Sequence, residues 1–373
     1  MLLNILTLQI AFEIVGSNMK FGISRLKNTV QEYSWGSRTA IAELLGQPSP
    51  AEKPQAELWM GAHPKAPSLV QREDGWLLLP EWIENSPEDI LGPAVAMRFA
   101  GKLPFLLKVL AAERPLSIQA HPDLARAKAG FARENSARIP LSDRARSYRD
   151  DNHKPELLCA LTPFRALKGF RKINEVSGLV EKINNPELKE AAGRLFEDPG
   201  ASALQRFFSS LMNMDKKRQS ELVKGVVRSI DQTADGEIVF QWIQHLDQYY
   251  PADIGVLSPL FLNLVQLQPG DAMYIPAGTL HAYLSGTGIE LMANSDNVLR
   301  GGLTAKHIDV AELIESLQFV EGATGLLTPK VLSPVEALYL SPAEEFMLSV
   351  IRLDRDMPFE SARNRSIEIL LCT

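Results

Sequence analysis

The spacing of apolar residues divides the chain into stretches of different character. Residues 20–171 carry short apolar runs, such as those at 58–61, 77–80 and 105–110, separated by Gly, Pro and Asn. This pattern predicts strands joined by turns. Residues 123–135 instead space their apolar side chains at three and four positions, which predicts a helix.

The spacing becomes helical throughout between about residue 173 and residue 250. Breaks at 185–186 and 198–200 contain Asn-Pro and Asp-Pro-Gly and separate amphipathic segments. Four or five helices are therefore expected, as an insert within the surrounding β structure.

Strand patterns return from residue 257, with a turn at 268–271 and a short helix expected at 304–317. Residues 341–373 resemble the start of another all-β unit. The chain stops at 366–373 in what looks like the middle of a strand, so we expect a truncated C-terminal domain.

Composition and charge narrow the class of protein. The net charge is −6 and the isoelectric point about 5.7, which argues against nucleic acid as a partner. The two cysteines, Cys159 and Cys372, lie far apart and form no CxxC motif, as is typical of a reduced, cytoplasmic protein.

The apolar N-terminal segment, residues 1–18, fits a signal peptide poorly. It has no Lys or Arg before Lys20 and contains Glu13 after a short apolar run. It is also shorter than the ~20 apolar residues of a membrane span. We interpret it as an extra leader outside the fold, with Met19 as the natural start and a targeting segment as the alternative. No other stretch predicts a membrane span.

The most informative motif is Gly270-x5-Pro276-x-Gly278-x2-His281. It predicts two turns and a histidine at the start of a strand, and it matches the second motif of the cupins, small jelly-roll barrels that commonly hold a metal. The final Asn of that motif is Ser285 here. A packed barrel histidine without metal is the alternative interpretation.

Three further stretches carry polar side chains that suit a metal or sugar site. Ser117, Gln119 and His121 alternate, so they share a face if they lie on a strand. Lys154 and Glu156 follow the same rule, whereas a surface salt-bridging loop explains them equally well. Glu290, Asn294, Asp296 and Arg300 fall in a segment expected to be rich in turns, where a solvated loop is the simpler interpretation.

Seven motifs in order resemble the type I mannose-6-phosphate isomerases, a zinc-dependent cupin family. They are YSWG from Tyr33, AELWMGAHP from Ala56, LPFLLKVL from Leu103, PLSIQAHP from Pro115, NHKPELL from Asn152, IPAGTLHAYL from Ile275 and ANSDNVLRGGLT from Ala293. The resemblance extends from about Met19 to Thr373. The long leader and the short last domain depart from the family pattern.

The resemblance implies which residues perform the chemistry. It makes Gln119, His121, Glu156 and His281 the ligands of one Zn²⁺, and Arg300, Lys154, His153, Asp296 and Glu290 the catalytic residues. Ser117, Trp35 and Lys108 would contact the substrate. Among these, Arg300 would stabilise enediolate charge, while Lys154 and Glu290 are candidate bases. His153 and Asp296 would assist ring opening and proton transfer, although strand alternation turns His153 away from Lys154.

The implied reaction interconverts mannose 6-phosphate and fructose 6-phosphate through ring opening and a cis-enediol. The partner is then a small sugar phosphate, and the enzyme a cytoplasmic monomer in carbohydrate metabolism, including GDP-mannose biosynthesis. A metal-dependent cupin dioxygenase and a noncatalytic sugar-binding cupin are the alternatives. The implied fold is mainly β, with cupin-type jelly rolls plus an α-helical domain. Its parts are a catalytic jelly roll at 19–171 and 257–330, a helical insert at 172–256, and a C-terminal jelly roll begun at 331–373.

Overall fold

The computed structural model describes residues 23–232, 236–322, 324–354, 359–362 and 365–373. The predicted leader, residues 1–18, lies outside these ranges. Within them, no helix combines the length and the apolar character needed to cross a bilayer.

The first part of the chain alternates strands with short helices. Its elements are β1 (Leu26–Lys27), β2 (Thr29–Gln31), α1 (Ala40–Leu44), β3 (Glu57–Gly61), β4 (Leu69–Arg72), β5 (Gly75–Leu78), α2 (Leu79–Asn85), α3 (Pro87–Leu91), α4 (Pro93–Arg98), β6 (Phe105–Ala112), β7 (Ile118–Ala120), α5 (Leu124–Ser136), β8 (Glu156–Ala160) and β9 (Phe164–Phe170). The predicted helix at 123–135 is α5, and the Asp123 carboxylate caps it by accepting the Arg126 N–H at 2.8 Å. Helices α1–α4 were not predicted, because pieces this short show too little of the helical period.

The helical insert is confirmed. It consists of α6 (Ile173–Ile183), α7 (Pro186–Glu197), α8 (Ala201–Asn213), α9 (Lys216–Asp231) and α10 (Ile238–Tyr249), followed by a 3₁₀ turn (Ile254–Leu257) and α11 (Ser258–Phe261). Phe208 of α8 stacks edge-to-face on Phe170 of β9 and on Phe261, with ring centroids 5.7 and 6.0 Å away. The apolar faces of the helices therefore continue the core of the neighbouring sheet.

The last part of the chain returns to strands. Its elements are β10 (Leu262–Leu267), β11 (Ala272–Ile275), β12 (His281–Ala293), β13 (Leu299–Gly302), α12 (Val310–Ser316), β14 (Leu326–Leu327), β15 (Lys330–Val331), β16 (Glu336–Tyr339) and β17 (Leu348–Ile351). The expectation of a strand at 366–373 was wrong, since the structure assigns none to residues 365–373. Ile367 and Ile369 nevertheless pack against buried clusters. The alternation of apolar and polar residues there therefore reflects one buried face of the segment and not pairing with a neighbouring strand.

Two sheets share strand β12 and form the predicted jelly roll. One sheet has the order β14-β11-β8-β12-β6-β3-β2, and the other joins β10, β9, β12, β7 and β13. Strand β12 passes between them at Gly286, where φ is 116° and a Cβ would lie 2.7 Å from the Pro163 carbonyl oxygen. The first part of β12, which begins at His281, therefore pairs with β7 and β9, and its second part pairs with β6 and β8.

Candidate active site

Three buried side chains meet inside the barrel. His121 directly follows β7, Glu156 begins β8 and His281 begins β12. The Nε2 atom of His121 lies 3.2 Å from Oε1 of Glu156, and Nε2 of His281 lies 3.3 Å from Oε2. One ligand atom from each residue lies within 4.8 Å of the others, so the group can hold a metal ion.

Backbone carbonyls set the tautomers of both histidines. Nδ1 of His121 lies 2.6 Å from the Asn297 oxygen, and Nδ1 of His281 lies 3.0 Å from the Thr279 oxygen. Because a carbonyl can only accept, each Nδ1 carries a proton, and a neutral imidazole at either position would present the lone pair of Nε2 toward Glu156. Burial lowers the pKa of His121, which keeps its imidazole neutral.

The neutral His121 and the ionised Glu156 therefore face each other with two hydrogen-bond acceptors. Nε2 of His121 is buried and has no hydrogen-bond partner among the described residues, and it lies 3.2 Å from Oε1 of Glu156. Such a contact is unfavourable unless a cation lies between the two atoms. Two neutral imidazoles and a carboxylate suit Zn²⁺ and other divalent transition metals, so the residues fit a metal.

Gln119 belongs to the same face of the sheet. In β7 it is the direct cross-strand partner of His281 on β12 and of Arg300 on β13. Directly opposed residues project to one side of a sheet with their Cβ atoms about 5 Å apart. The Gln119 amide is therefore placed beside the histidine pair and between it and a guanidinium.

Lys154 contacts the metal group directly, through a gap of 3.1 Å between its Nζ and Oε1 of Glu156. Burial by itself would raise the pKa of Glu156, but the charge of Lys154 outweighs it and holds the pKa well below its usual range. The carboxylate is therefore ionised, as a metal ligand must be.

A chain of buried polar groups leads away from Glu156. The Tyr283 hydroxyl lies 3.3 Å from Oε2 of Glu156, and burial together with Glu156 and Glu290 raises the pKa of that phenol. Beyond it, Lys108 Nζ lies 2.8 Å from Glu290 and 3.6 Å from Glu57. Glu290 lies in the middle of β12, so placing it in a turn-rich segment was wrong.

Arg300, the cross-strand partner of Gln119, interacts with two further cations, Arg149 and Lys306. Burial and the neighbouring guanidinium of Arg149 lower the pKa of Arg300. The pKa of Lys306 is lowered mainly by burial and then by the positive charges of Arg300, Arg149 and Lys65. The Arg149 guanidinium donates to the carbonyls of Leu141 and Asp143, which add no neutralising charge. A group of mutually repelling cations of this kind favours an anion.

Two further predicted residues have partners outside the metal group. Asp296 pairs with Lys65 at 2.9 Å and approaches the buried His63, 3.6 Å away. The imidazole of His153 bonds Glu345 in the C-terminal segment at 2.5 Å.

Trp35 and Ser117 complete the set of predicted contacts. Trp35 stacks on Tyr33 with centroids 5.8 Å apart, and Ser117 directly precedes β7, two positions before Gln119. The pKa of Tyr33 is raised by burial and by Glu57, so this aromatic pair lies near the buried polar chain.

Comparison with known proteins identifies the family. Residues 23–173 match the model of the phosphomannose isomerase type I catalytic domain, and residues 179–262 match that of the helical insertion domain of the same family. The mannose-6-phosphate isomerase of Escherichia coli K12 is 43% identical over 353 residues, covering 94% of this chain and 88% of that protein. The chain belongs to the type I phosphomannose isomerases.

Other relatives give the same result. The human mannose-6-phosphate isomerase is 38% identical over 352 residues, which cover 87% of this chain and 80% of that protein. A crystal structure of a zinc-bound mannose 6-phosphate isomerase superposes with a TM-score of 0.80 at 44% identity, covering 87% of this chain and 82% of the other. A mutant of the Salmonella typhimurium enzyme gives a TM-score of 0.82 at 43% identity over the same shares.

Sequence analysis of this phosphomannose isomerase missed four residues that surround the site: Glu57, Tyr283, Arg149 and Lys306. Tyr283 follows His281 by two positions on one strand, so the alternation rule could have found it. Glu57 opens β3 and is the second residue of the AELWMGAHP motif. Arg149 and Lys306 lie in loops, where no periodicity of the sequence indicates the direction in which a side chain points.

Proposed function

We propose that the protein is a mannose-6-phosphate isomerase that interconverts mannose 6-phosphate and fructose 6-phosphate at a zinc site. The observation that carries this proposal is the buried group of His121, Glu156 and His281, with Lys154 against it and a cluster of cations nearby. Its relatives in Escherichia coli and human are named for this reaction.

We propose that His121, Glu156, His281 and Gln119 hold Zn²⁺. When bound there, zinc supplies a Lewis acid for the sugar oxygens. The ionised carboxylate and the two Nε2 atoms within 3.3 Å of it support this ligand set, and the cross-strand position of Gln119 beside His281 supports the fourth ligand.

The proton transfer between C1 and C2 of the sugar requires a base and a cation near the reacting carbons. Lys154 is a candidate base because its amine lies at the edge of the metal group, and Glu290 is the other, held by Lys108 in a buried polar chain. Arg300 would stabilise the charge of the enediolate, because its guanidinium stays protonated and lies across from Gln119.

The substrate phosphate would bind at Arg149, Arg300 and Lys306, where positive charges accumulate. Ser117 borders the same strand end, and Trp35 with Tyr33 would contact the sugar. We assign ring opening to Asp296, which lies between His63 and Lys65. His153 would assist ring opening only after its hydrogen bond to Glu345 is broken.

We propose further that the enzyme is a cytoplasmic monomer that supplies GDP-mannose biosynthesis, without nucleic acid or membrane partners. The separated cysteines and the net charge of −6 support this environment. We retain residues 19–171 and 257–330 as the catalytic domain, 172–256 as the helical insert and 331–373 as C-terminal jelly-roll sequence. The dioxygenase and sugar-binding alternatives are not favoured, since the curated relatives are isomerases.

A coupled assay tests the proposal. Purified protein should convert mannose 6-phosphate to fructose 6-phosphate, lose this activity to a chelator and regain it with Zn²⁺. Glu156→Gln should remain folded but lose activity, while Lys217→Met on the surface of α9 serves as the control. Zinc-loaded, folded protein without turnover would overturn the proposed reaction.

A further inference from the structure

Asn297 is a fully buried asparagine at the centre of two loops that border the site. Its side-chain oxygen accepts the backbone N–H of Arg149 at 2.7 Å. Its side-chain nitrogen donates to the carbonyls of Asp150 and Asn152 at 2.9 and 2.8 Å. A side chain with 0% exposure is thus satisfied by the 149–152 loop, through its backbone and through the Asp150 carboxylate, whose Oδ1 accepts from the same amide at 3.2 Å.

The main chain of the same residue orients a metal ligand. Its carbonyl oxygen lies 2.6 Å from Nδ1 of His121, and this contact directs Nε2 toward Glu156. His281 is oriented differently, by the carbonyl of Thr279 two residues earlier in its own turn. The orientation of His121 therefore depends on a loop 176 residues away along the chain, and that of His281 does not.

Asn297 thus both bonds the 149–152 loop through its side chain and orients His121 through its carbonyl. The 149–152 loop begins with Arg149 and leads to Lys154, while the 295–297 loop contains the carbonyl that accepts from His121. Ser295 fastens the same pair of loops, since its hydroxyl donates to Asp150 at 2.8 Å and accepts the Asn297 N–H at 3.1 Å.

We propose that Asn297 is a positioning residue for the metal centre: its amide locks the two loops together, and this lock fixes the carbonyl that orients His121. The inference rests on the proposed zinc site but not on the identity of the sugar. Removing the outer partner of a metal-bound histidine typically weakens metal binding by about 10–100-fold.

Zinc affinity, measured by competition with a fluorescent chelator on the full chain, tests the inference. Asn297→Ala should weaken zinc binding by about 10–100-fold. The matched control is Gln219→Ala in the helical insert, because Gln219 is also buried and its amide donates to two backbone carbonyls, those of Leu211 and Met212. Its loss should lower the thermal midpoint of the metal-free protein and leave zinc affinity within about twofold of the parent.

A second pair of variants keeps the test decisive if Asn297→Ala does not fold. Ser295→Ala removes one fastening between the loops and should also weaken zinc binding. Ser258→Ala is its control, since that buried hydroxyl has no hydrogen-bond partner among the described residues. Folded Asn297 or Ser295 variants with the parent's zinc affinity would overturn the inference. Absence of isomerase turnover in the zinc-loaded parent would instead count against the proposed reaction alone.

Discussion

Lys108 and Glu290 are direct partners on strands β6 and β12, and their charged atoms lie 2.8 Å apart in the protein interior. A second carboxylate, that of Glu57, lies 3.6 Å from the same ammonium. Burial by itself would lower the pKa of Lys108, but the two carboxylates outweigh it and raise the pKa. One lysine therefore compensates two buried acids.

Replacing this lysine should be costly. Lys108→Met leaves Glu57 and Glu290 buried without their cation, and we expect the free energy of unfolding to fall by about 3–5 kcal/mol at pH 8. Urea unfolding of the parent and the variant at pH 8 measures this loss. A loss as small as that of the surface variant Lys217→Met would contradict it.

The cation group should determine affinity more than turnover. Lys306→Met removes one positive charge from the proposed phosphate site, and we expect KM for the sugar phosphate to rise about tenfold or more, because charge-assisted bonds contribute roughly 1.5–3 kcal/mol. Inhibition by inorganic phosphate should weaken in parallel, with kcat nearly unchanged. Lys217→Met is again the control. An unchanged KM with a reduced kcat would contradict the assignment.

His63 should make stability depend on pH. Burial lowers its pKa to about 4, with Asp296 opposing the shift. The unfolded chain takes up a proton near pH 6.5 whereas the folded protein does not, so this group's contribution to stability is present above pH 6.5 and is lost as pH falls toward 4. The loss is roughly 3 kcal/mol at 1.36 kcal/mol per unit. His63→Gln should flatten the stability profile in that window, and parallel profiles for variant and parent would refute the prediction.

Local rules could place two residues of the metal group along the chain. His281 follows a turn pattern with fixed spacing, and Glu156 opens a strand, whereas their assignment as zinc ligands came from the family resemblance and stays a prediction. The long-range links are different. Nothing in the local pattern shows that Asn297 reaches His121, or that Glu290 lies opposite Lys108, since each depends on which strands and loops become neighbours.

Fold prediction failed where elements are short or lack a partner. Helices α1–α4 have at most seven residues, which is too few for a 3.6-residue period to be recognised. The alternation at 366–373 correctly indicated one buried face, but pairing with a neighbouring strand does not follow from it. Long amphipathic segments, as in α6–α10, were predictable because several turns repeat the same apolar face.

The His153–Glu345 contact joins the catalytic part of the chain to the C-terminal segment. Burial would raise the pKa of Glu345, but the hydrogen bond and charge of His153 outweigh it and lower the pKa. The pair's stabilisation is therefore present above the ordinary carboxyl pKa and is lost as pH falls through the lowered value.

A double-mutant cycle separates structure from catalysis at this contact. His153→Gln and Glu345→Gln should each reduce stability at pH 7, and the double variant should lose less than the sum of the two. If His153 acts only as an anchor, both single variants should affect kcat equally. A much larger loss of kcat for His153→Gln would assign it a direct catalytic role.

Gly130 lies in the middle of α5, where alanine would ordinarily stabilise the helix by about 0.5–1 kcal/mol. Here a Cβ would lie 2.2 Å from the ring of Tyr148, which is fully buried and precedes Arg149. We expect Gly130→Ala to destabilise the protein and to raise KM, because the displaced ring would move the 149–152 loop. Gly178→Ala in α6 is the matched control, since its Cβ would meet nothing within 4 Å and should give the ordinary stabilisation. Thermal unfolding and steady-state kinetics of both variants measure the contrast, and an equal gain of stability in the two would show that Tyr148 does not fix this loop.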